Sequence, residues 1–164
     1  MGHINEDGFI RVTGRIKEQY KLENGKYVCP SPIEEAIGMS RFITQVVLVG
    51  ANRPHNIVLL VPEWDALRQE LDVGSDVPEE ELANDQRVKD LIDSEIQQSC
   101  YSMKKFEVPT KWAFVAPFTV ANDMLTPKMS IRRHKVQQVY QDLIDEVYGA
   151  FLSSDARKEE VKAA

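Results

Sequence analysis

Gly14-Arg15-Ile16-Lys17-Glu18-Gln19-Tyr20-Lys21-Leu22-Glu23-Asn24-Gly25-Lys26-Tyr27-Val28 is where the reading of this chain begins. The stretch holds four cations, Arg15, Lys17, Lys21 and Lys26, and an Asn24-Gly25 pair between short strand-like runs. Asn-Gly in that setting predicts a tight hairpin, because both residues tolerate positive φ. The cations then stand on a small ribbon near the start of the domain. On charge pattern alone this ribbon is either an anion site or a solvated charged hairpin.

Working outward, Ser31 can cap a helix, Pro32 suits its first position, and Glu34 completes a capping box. Ile33, Ala36 and Ile37 give that helix an apolar face, and Gly38 ends it. Residues 43–50 and 56–62 are nearly continuous apolar runs joined by 51–55. They predict a hairpin of two core strands covered on both faces. Residues 64–71 predict a helix, 72–78 a loop, and Glu79-Glu80-Glu81 a solvated helix start. Val88, Leu91, Ile92, Ile96 and Met103 recur at helical spacing and predict a helix over 87–103. Residues 111–116 form a third strand around Trp112, Phe114 and Val115. A last helix over 133–148 carries Val136, Val139, Tyr140, Leu143 and Val147 on one face. At the other end, 2–13 reads as strand-turn-strand with its turn at Asn5-Glu6-Asp7-Gly8. The small, polar and charged segment from Ser153 predicts a flexible tail over 153–164. The sum is an α+β domain, a small sheet of about three strands covered by helices, plus an N-terminal β-hairpin.

A chain of 164 residues with 43% hydrophobic and 28% charged side chains is long enough for one domain with a core of its own. The net charge of -6 argues against general nucleic-acid binding and leaves room for a local basic patch. Cys29 and Cys100 lie far apart without metal-ligand spacing and read as reduced thiols. His3, His55 and His134 are scattered and read as surface or structural residues, so no metal site is expected. The sequence contains no apolar run near the ~20 residues of a membrane span, and no signal-peptide pattern opens it. Met1 stands directly before Gly-His-Ile-Asn-Glu-Asp-Gly, which reads as mid-protein, so an excised domain is expected. Gly-x-Ser-x-Gly and the Gly-x4-Gly-Lys-Ser/Thr phosphate loop are both missing. The second basic stretch is Leu125-Thr126-Pro127-Lys128-Met129-Ser130-Ile131-Arg132-Arg133, a loop opening the last helix.

Taken together, Gly14-Arg15-Ile16-Lys17, Lys21-Leu22-Glu23-Asn24-Gly25-Lys26-Tyr27, Pro30-Ser31-Pro32-Ile33-Glu34 and the 125–133 loop resemble one known arrangement. It is the C-terminal domain of the AMP-forming adenylate synthetases, the superfamily of acyl-CoA synthetases, luciferase and peptide-synthetase adenylation domains. The Lys-Leu-x-Asn-Gly-Lys-Tyr wording is most similar to long-chain fatty acyl-CoA synthetases. The resemblance runs from Gly8 to Tyr148, with Gly14 standing where the hinge usually has Asp. It implies that 1–13 close an N-terminal catalytic domain, that 14–152 are a mobile lid, and that Lys17 is the hinge residue. It also implies that Arg15 approaches the nucleotide ribose. Lys21, Asn24, Gly25 and Lys26 would face coenzyme A during thioester formation, where glycine admits close approach of the ligand.

The family's adenylation lysine falls, counting back from Arg133, on Ser130. Lys128 is the nearest substitute and Arg132 its rival. A cation is wanted there because attack of a carboxylate on the α-phosphate of ATP gathers negative charge. The resemblance implies ATP, Mg2+, coenzyme A and fatty acid as ligands of the full-length enzyme. It implies the N-terminal adenylation domain as partner, and no ligand on the fragment alone. The implied location is cytoplasmic, with peripheral membrane association of the full-length enzyme as the alternative. A ligase that loads an acyl-carrier protein fits the same residues, and a non-catalytic α+β interaction module is the reading from another class.

Overall fold

The computed structural model describes residues 2–4, 10–12 and 18–149. Strands β1 (Gly2–Ile4) and β2 (Ile10–Val12) pair antiparallel, His3 opposite Arg11, as the expected N-terminal strand-turn-strand requires. The expected turn at 5–8, the hinge stretch 14–17 with Arg15 and Lys17, and the tail lie outside the described residues.

The main sheet has three strands in the order β5-β6-β7. Strands β5 (Ile43–Val49) and β6 (Ile57–Pro62) form the predicted antiparallel hairpin, with Val46 opposite Leu60 and Val47 opposite Leu59. Strand β7 (Lys111–Phe114) joins β6 in parallel, two residues shorter at its end than the sequence run. All six residues of β6 are buried. Successive side chains of a strand point to opposite faces, so a two-sided apolar run needs two covers. Val58 and Leu60 pack with Ile33, Ile37, Leu67 and Ile92 on one face. Ile57, Leu59 and Val61 pack with Phe118, Val136, Ile144 and Tyr148 on the other.

The first cover consists of α1 (Pro30–Ile37), α2 (Trp64–Leu71), α3 (Glu79–Asn84) and α4 (Gln86–Ser99). Helix α1 departs from the capping-box expectation. Its N-cap is Cys29, with no side-chain cap bond. Pro30 and Pro32 occupy the first turn, and proline has no N–H, so little is left there for a cap to satisfy. Ser31 instead donates to the Glu18 carboxylate at 3.0 Å. Helix α4 is capped by Asp85, whose carboxylate accepts the Arg87 N–H at 2.8 Å. It ends at Ser99, so Met103 lies beyond it in a turn rather than on it. Val88, Ile92 and Ile96 are its buried line, as the spacing predicts.

The second cover is α5 (Arg133–Val139) and a further helical segment over 141–149, in place of one uninterrupted helix. Tyr140 sits between them with φ -99° and ψ 20°. Hydrogen bonds cross the irregularity, from Tyr140 N–H to Val136 and from Ile144 N–H to Tyr140. The buried residues are Val136, Ile144 and Tyr148, four-residue steps through Tyr140, and Val139 is 52% exposed. Of the expected face, Val136, Tyr140, Leu143 and Val147 do pack on this core, and Val139 alone is turned away from it.

Candidate functional site

The first basic loop joins β3 (Tyr20–Lys21) to β4 (Tyr27–Val28), a separate two-stranded ribbon. Leu22 N–H donates to Lys26 carbonyl at 2.8 Å and Gly25 N–H to Leu22 carbonyl at 2.9 Å. That is a turn followed by one left-handed residue, not two in a row, since Gly25 alone has positive φ (85°). Asn24 serves differently from the expectation, its side-chain oxygen accepting Lys26 N–H at 3.1 Å. Lys21 Nζ lies 6.0 Å from the Tyr27 ring centre. Lys26 Nζ lies 4.8 Å and Lys104 Nζ 5.8 Å from the centre of Phe106.

Phe106 is held by Asn56, a fully buried side chain. Asn56 Nδ2 donates to the Phe106 and Glu107 carbonyls, both at 3.0 Å, while its Oδ1 accepts the Tyr20 hydroxyl at 2.6 Å. Gly50 is required beside this junction, because a Cβ there would lie 2.2 Å from Asn56 Oδ1. Burial pushes the Tyr20 phenol far above its ordinary range, with the Tyr148 and Glu34 charges acting in the same direction. Tyr20 is therefore a fixed hydrogen-bond donor that ties the ribbon to the sheet. Between ribbon and 105–110 lies a cavity of about 260 Å³ lined by Leu22, Asn24, Lys26, Lys105 and Phe106.

The second basic loop has the same hydrogen-bond frame as the first. Leu125 bridges Ile131, Thr126 N–H donates to Ser130 carbonyl at 2.8 Å, and Met129 N–H donates to Thr126 carbonyl at 2.8 Å. Here the left-handed position is filled by Met129, with φ 61°. Lys128 is at the tip, exposed, without a hydrogen bond or ion pair among the described residues. Ser130 is exposed beside it, and its N–H donates to Thr126 Oγ1 at 3.1 Å. Arg132 is engaged, its guanidinium donating to Asp123 at 2.7 Å. Arg133, the first residue of α5, forks onto the Glu34 carboxylate. Burial disfavours charge on Arg133, but the hydrogen bonds to Glu34 together with the charges of Glu34, Glu18 and Tyr20 outweigh it and hold its pKa above the ordinary arginine value.

Among the described residues no cluster of three His, Cys, Asp or Glu side chains could hold a metal ion. No helix among them is long and apolar enough to cross a membrane.

The family model of the AMP-binding enzyme C-terminal domain matches residues 17–152. The chain belongs to this family. Relatives of this AMP-binding enzyme C-terminal domain include long-chain-fatty-acid–CoA ligase 5 of Mus musculus, 31% identical over 153 residues. That match covers 90% of this chain and 22% of the ligase. A chloroplastic long-chain-fatty-acid–[acyl-carrier-protein] ligase of Arabidopsis thaliana is 33% identical over 141 residues, covering 86% of this chain and 18% of that protein. The chain thus spans about a fifth of the length of these relatives. The adenylation domain of a carboxylate reductase from Mycobacterium chelonae shares the fold, with TM-score 0.71 and 23% identity over 89% of this chain and 24% of that one. The α+β fold of a small three-stranded sheet with an N-terminal hairpin is the one expected from sequence.

Three parts of this AMP-binding enzyme C-terminal domain escaped the sequence reading. Asn56 stands at the head of an apolar strand run and carries no motif. Phe106 with Lys104 and Lys105 lies in what read only as a connection between helix and strand. The Glu34–Arg133 pair joins residues 99 positions apart. The only signal for any of these was the polar residue at the start of an otherwise apolar strand.

Proposed function

We propose that this chain is the C-terminal lid of an AMP-forming fatty acyl-CoA synthetase, converting fatty acid, ATP and coenzyme A to acyl-CoA, AMP and pyrophosphate. The observation that carries the reading is the pair of matching basic loops, one with a free cation at its tip, on a chain of this family. In the first step a carboxylate oxygen attacks the α-phosphorus of ATP, a mixed anhydride forms, and the bond to pyrophosphate breaks. Lys128, free at the tip of 126–130, stabilises the charge gathered there. Arg132 is the weaker candidate because Asp123 already holds it. In the second step the thiol sulfur attacks the acyl carbon, AMP leaves, and the thiol proton passes to solvent. Lys21, Asn24, Gly25 and Lys26 face the acceptor in that state, with Lys104 and Lys105 beside them. Rotation at Lys17 exchanges the two loops, and Arg15 meets the ribose. Mg2+ would ride on the ATP phosphates, since the described residues offer no ligand cluster for it. Residues 1–13 belong to the catalytic domain, 14–152 to the lid, and 153–164 to the tail. The proposed location is cytoplasmic, with peripheral membrane association as the alternative.

The test measures both half-reactions in the full-length enzyme. Lys128→Ala should slow acyl-adenylate formation by about 10²–10³-fold and leave transfer to coenzyme A nearly unchanged. Gly25→Leu should do the reverse. The 164 residues alone should give background ATP–pyrophosphate exchange. Equal losses in both halves for both variants would overturn the alternating-loop reading, and a large loss in Arg132→Ala with normal Lys128→Ala would move the cation to Arg132. The Arabidopsis relative makes a carrier protein the second acceptor, tested by comparing transfer rates to coenzyme A and to a phosphopantetheinylated carrier.

A further inference from the structure

The Glu34–Arg133 pair ties three elements together. Among the described residues strand β5 pairs only with β6, so its outer edge needs an acceptor from elsewhere. Glu34, reaching from α1, accepts the Leu48 N–H at 2.6 Å with one carboxylate oxygen. The fork of Arg133 closes on both oxygens of the same carboxylate. The pair is sheltered, with side chains 13% and 27% exposed. A sheltered ion pair is a poor source of stability, since desolvation offsets most of its attraction. A bidentate fork is a good source of geometry.

What it fixes is the exit of the second basic loop. Arg133 follows Arg132 directly, and the Arg132 N–H closes the loop's base by donating to the Met124 carbonyl at 2.8 Å. One turn back on α1, Ser31 holds Glu18, the residue next to the hinge stretch. Arg133 also lies within electrostatic reach of Glu18. One face of α1 therefore grips both the chain leaving the hinge and the root of the loop that bears Lys128. The first basic loop hangs by hydrogen bonds on another junction, Tyr20–Asn56, which the Glu34–Arg133 pair reaches only electrostatically, through Tyr20.

We propose that Arg133 and Glu34 are positioning residues for adenylate formation, locking the 126–132 loop to α1 so that hinge rotation delivers it as one rigid body. This rests on the lid reading above. Neither residue touches substrate in this role. Both act through the loop that carries Lys128.

The test uses Glu34→Gln, Arg133→Lys and Arg133→Met in the full-length enzyme. In Glu34→Gln the amide oxygen can still accept the Leu48 N–H, while the charge partner of Arg133 is lost. Its kcat for acyl-adenylate formation should fall, by up to about 10²-fold for an ångström of misplacement. Transfer from pre-formed adenylate should stay within about two-fold of wild type, the loss expected when the acceptor loop keeps its geometry. Arg133→Lys should recover part of what Arg133→Met loses. A purely structural pair would lower both half-reactions together, and that result overturns the proposal. The second measurement is amide chemical shifts in the 164-residue chain. Glu34→Gln should move those of 126–132 well beyond those of 22–26. Unmoved 126–132 amides overturn the proposal even if activity falls. A wild-type enzyme without fatty-acid-dependent adenylate formation would sink the lid reading instead, while the amide shifts would still decide whether the pair holds the loop.

Discussion

Gly25 and Met129 occupy equivalent places in two loops with the same frame, and both are left-handed. For a residue with a Cβ that conformation costs about 1–2 kcal/mol. Gly25→Ala meets no obstruction, its nearest neighbour being Lys21 Cε at 3.7 Å. Its loss is therefore one of backbone strain, about 1 kcal/mol in a denaturant melt. Met129→Gly should lose nothing, because relief of strain offsets the added freedom of the unfolded chain. A clear drop in stability for Met129→Gly would show that the methionine side chain holds its loop by contacts. The Asn-Gly dipeptide announced the first turn through backbone preference, a local property. No local preference announces a left-handed methionine, so the likeness of the two loops was legible only in their hydrogen bonds. Lys128, Arg132, Lys21, Asn24, Gly25 and Lys26 were nameable from sequence because they sit in motif-bearing loops. Asn56 and Phe106 were not, because their roles come from partners far along the chain.

Among the elements, the strands were legible because apolar runs of six or seven residues bounded by turn residues have few other homes. The last helix was legible as a helix and in most of its face, Val136, Tyr140, Leu143 and Val147, but not at Val139. The buried residues Val136, Ile144 and Tyr148 run in four-residue steps through the irregularity at Tyr140, flanked by Leu143 and Val147, and this line leaves Val139 outside. Val139→Lys should therefore stay within about 0.5 kcal/mol of wild type. Ile144→Asp should prevent a cooperative melt, since Ile144 is 2% exposed and an unpaired carboxylate there has no solvent. Comparable effects from the two would mean that Val139 faces the core after all. The capping box failed for a related reason: Glu34 has a stronger call on its carboxylate from Arg133 and Leu48 than from its own helix end.

At the scale of the whole molecule, alkaline stability follows from the buried acids. Burial pushes the Cys100 thiol up to about 11 and the Cys29 thiol upward as well. The Tyr148 phenol is raised too, again chiefly by burial. Raised in the folded state, these groups ionise first in the unfolded chain. Above the ordinary thiol pKa the unfolded state binds fewer protons than the folded one, so stability falls as pH rises. The melting temperature should hold level from about pH 7 to 8.5 and decline from about pH 9 upward. Cys100→Ala should make the segment between about pH 9 and 11 shallower. A decline of the same slope in that variant would remove Cys100 as a cause.

The parallel pairing of β7 with β6 carries a consequence for how the chain acquires its shape. Strand β5 finds β6 across a short connection, but Asn56 and Thr110, at the start of the β6–β7 ladder, are 54 positions apart. Closing that span costs chain entropy before any ladder bond repays it. The hairpin and the local helices can therefore form early, with β7 arriving late after α2, α3 and α4 have filled the crossover. Val47→Ala, in the hairpin, should slow folding in a chevron experiment. Ala113→Gly, in β7, should mainly speed unfolding. Strand β7, the edge strand opposite β5, would then be the last to settle and the first to leave.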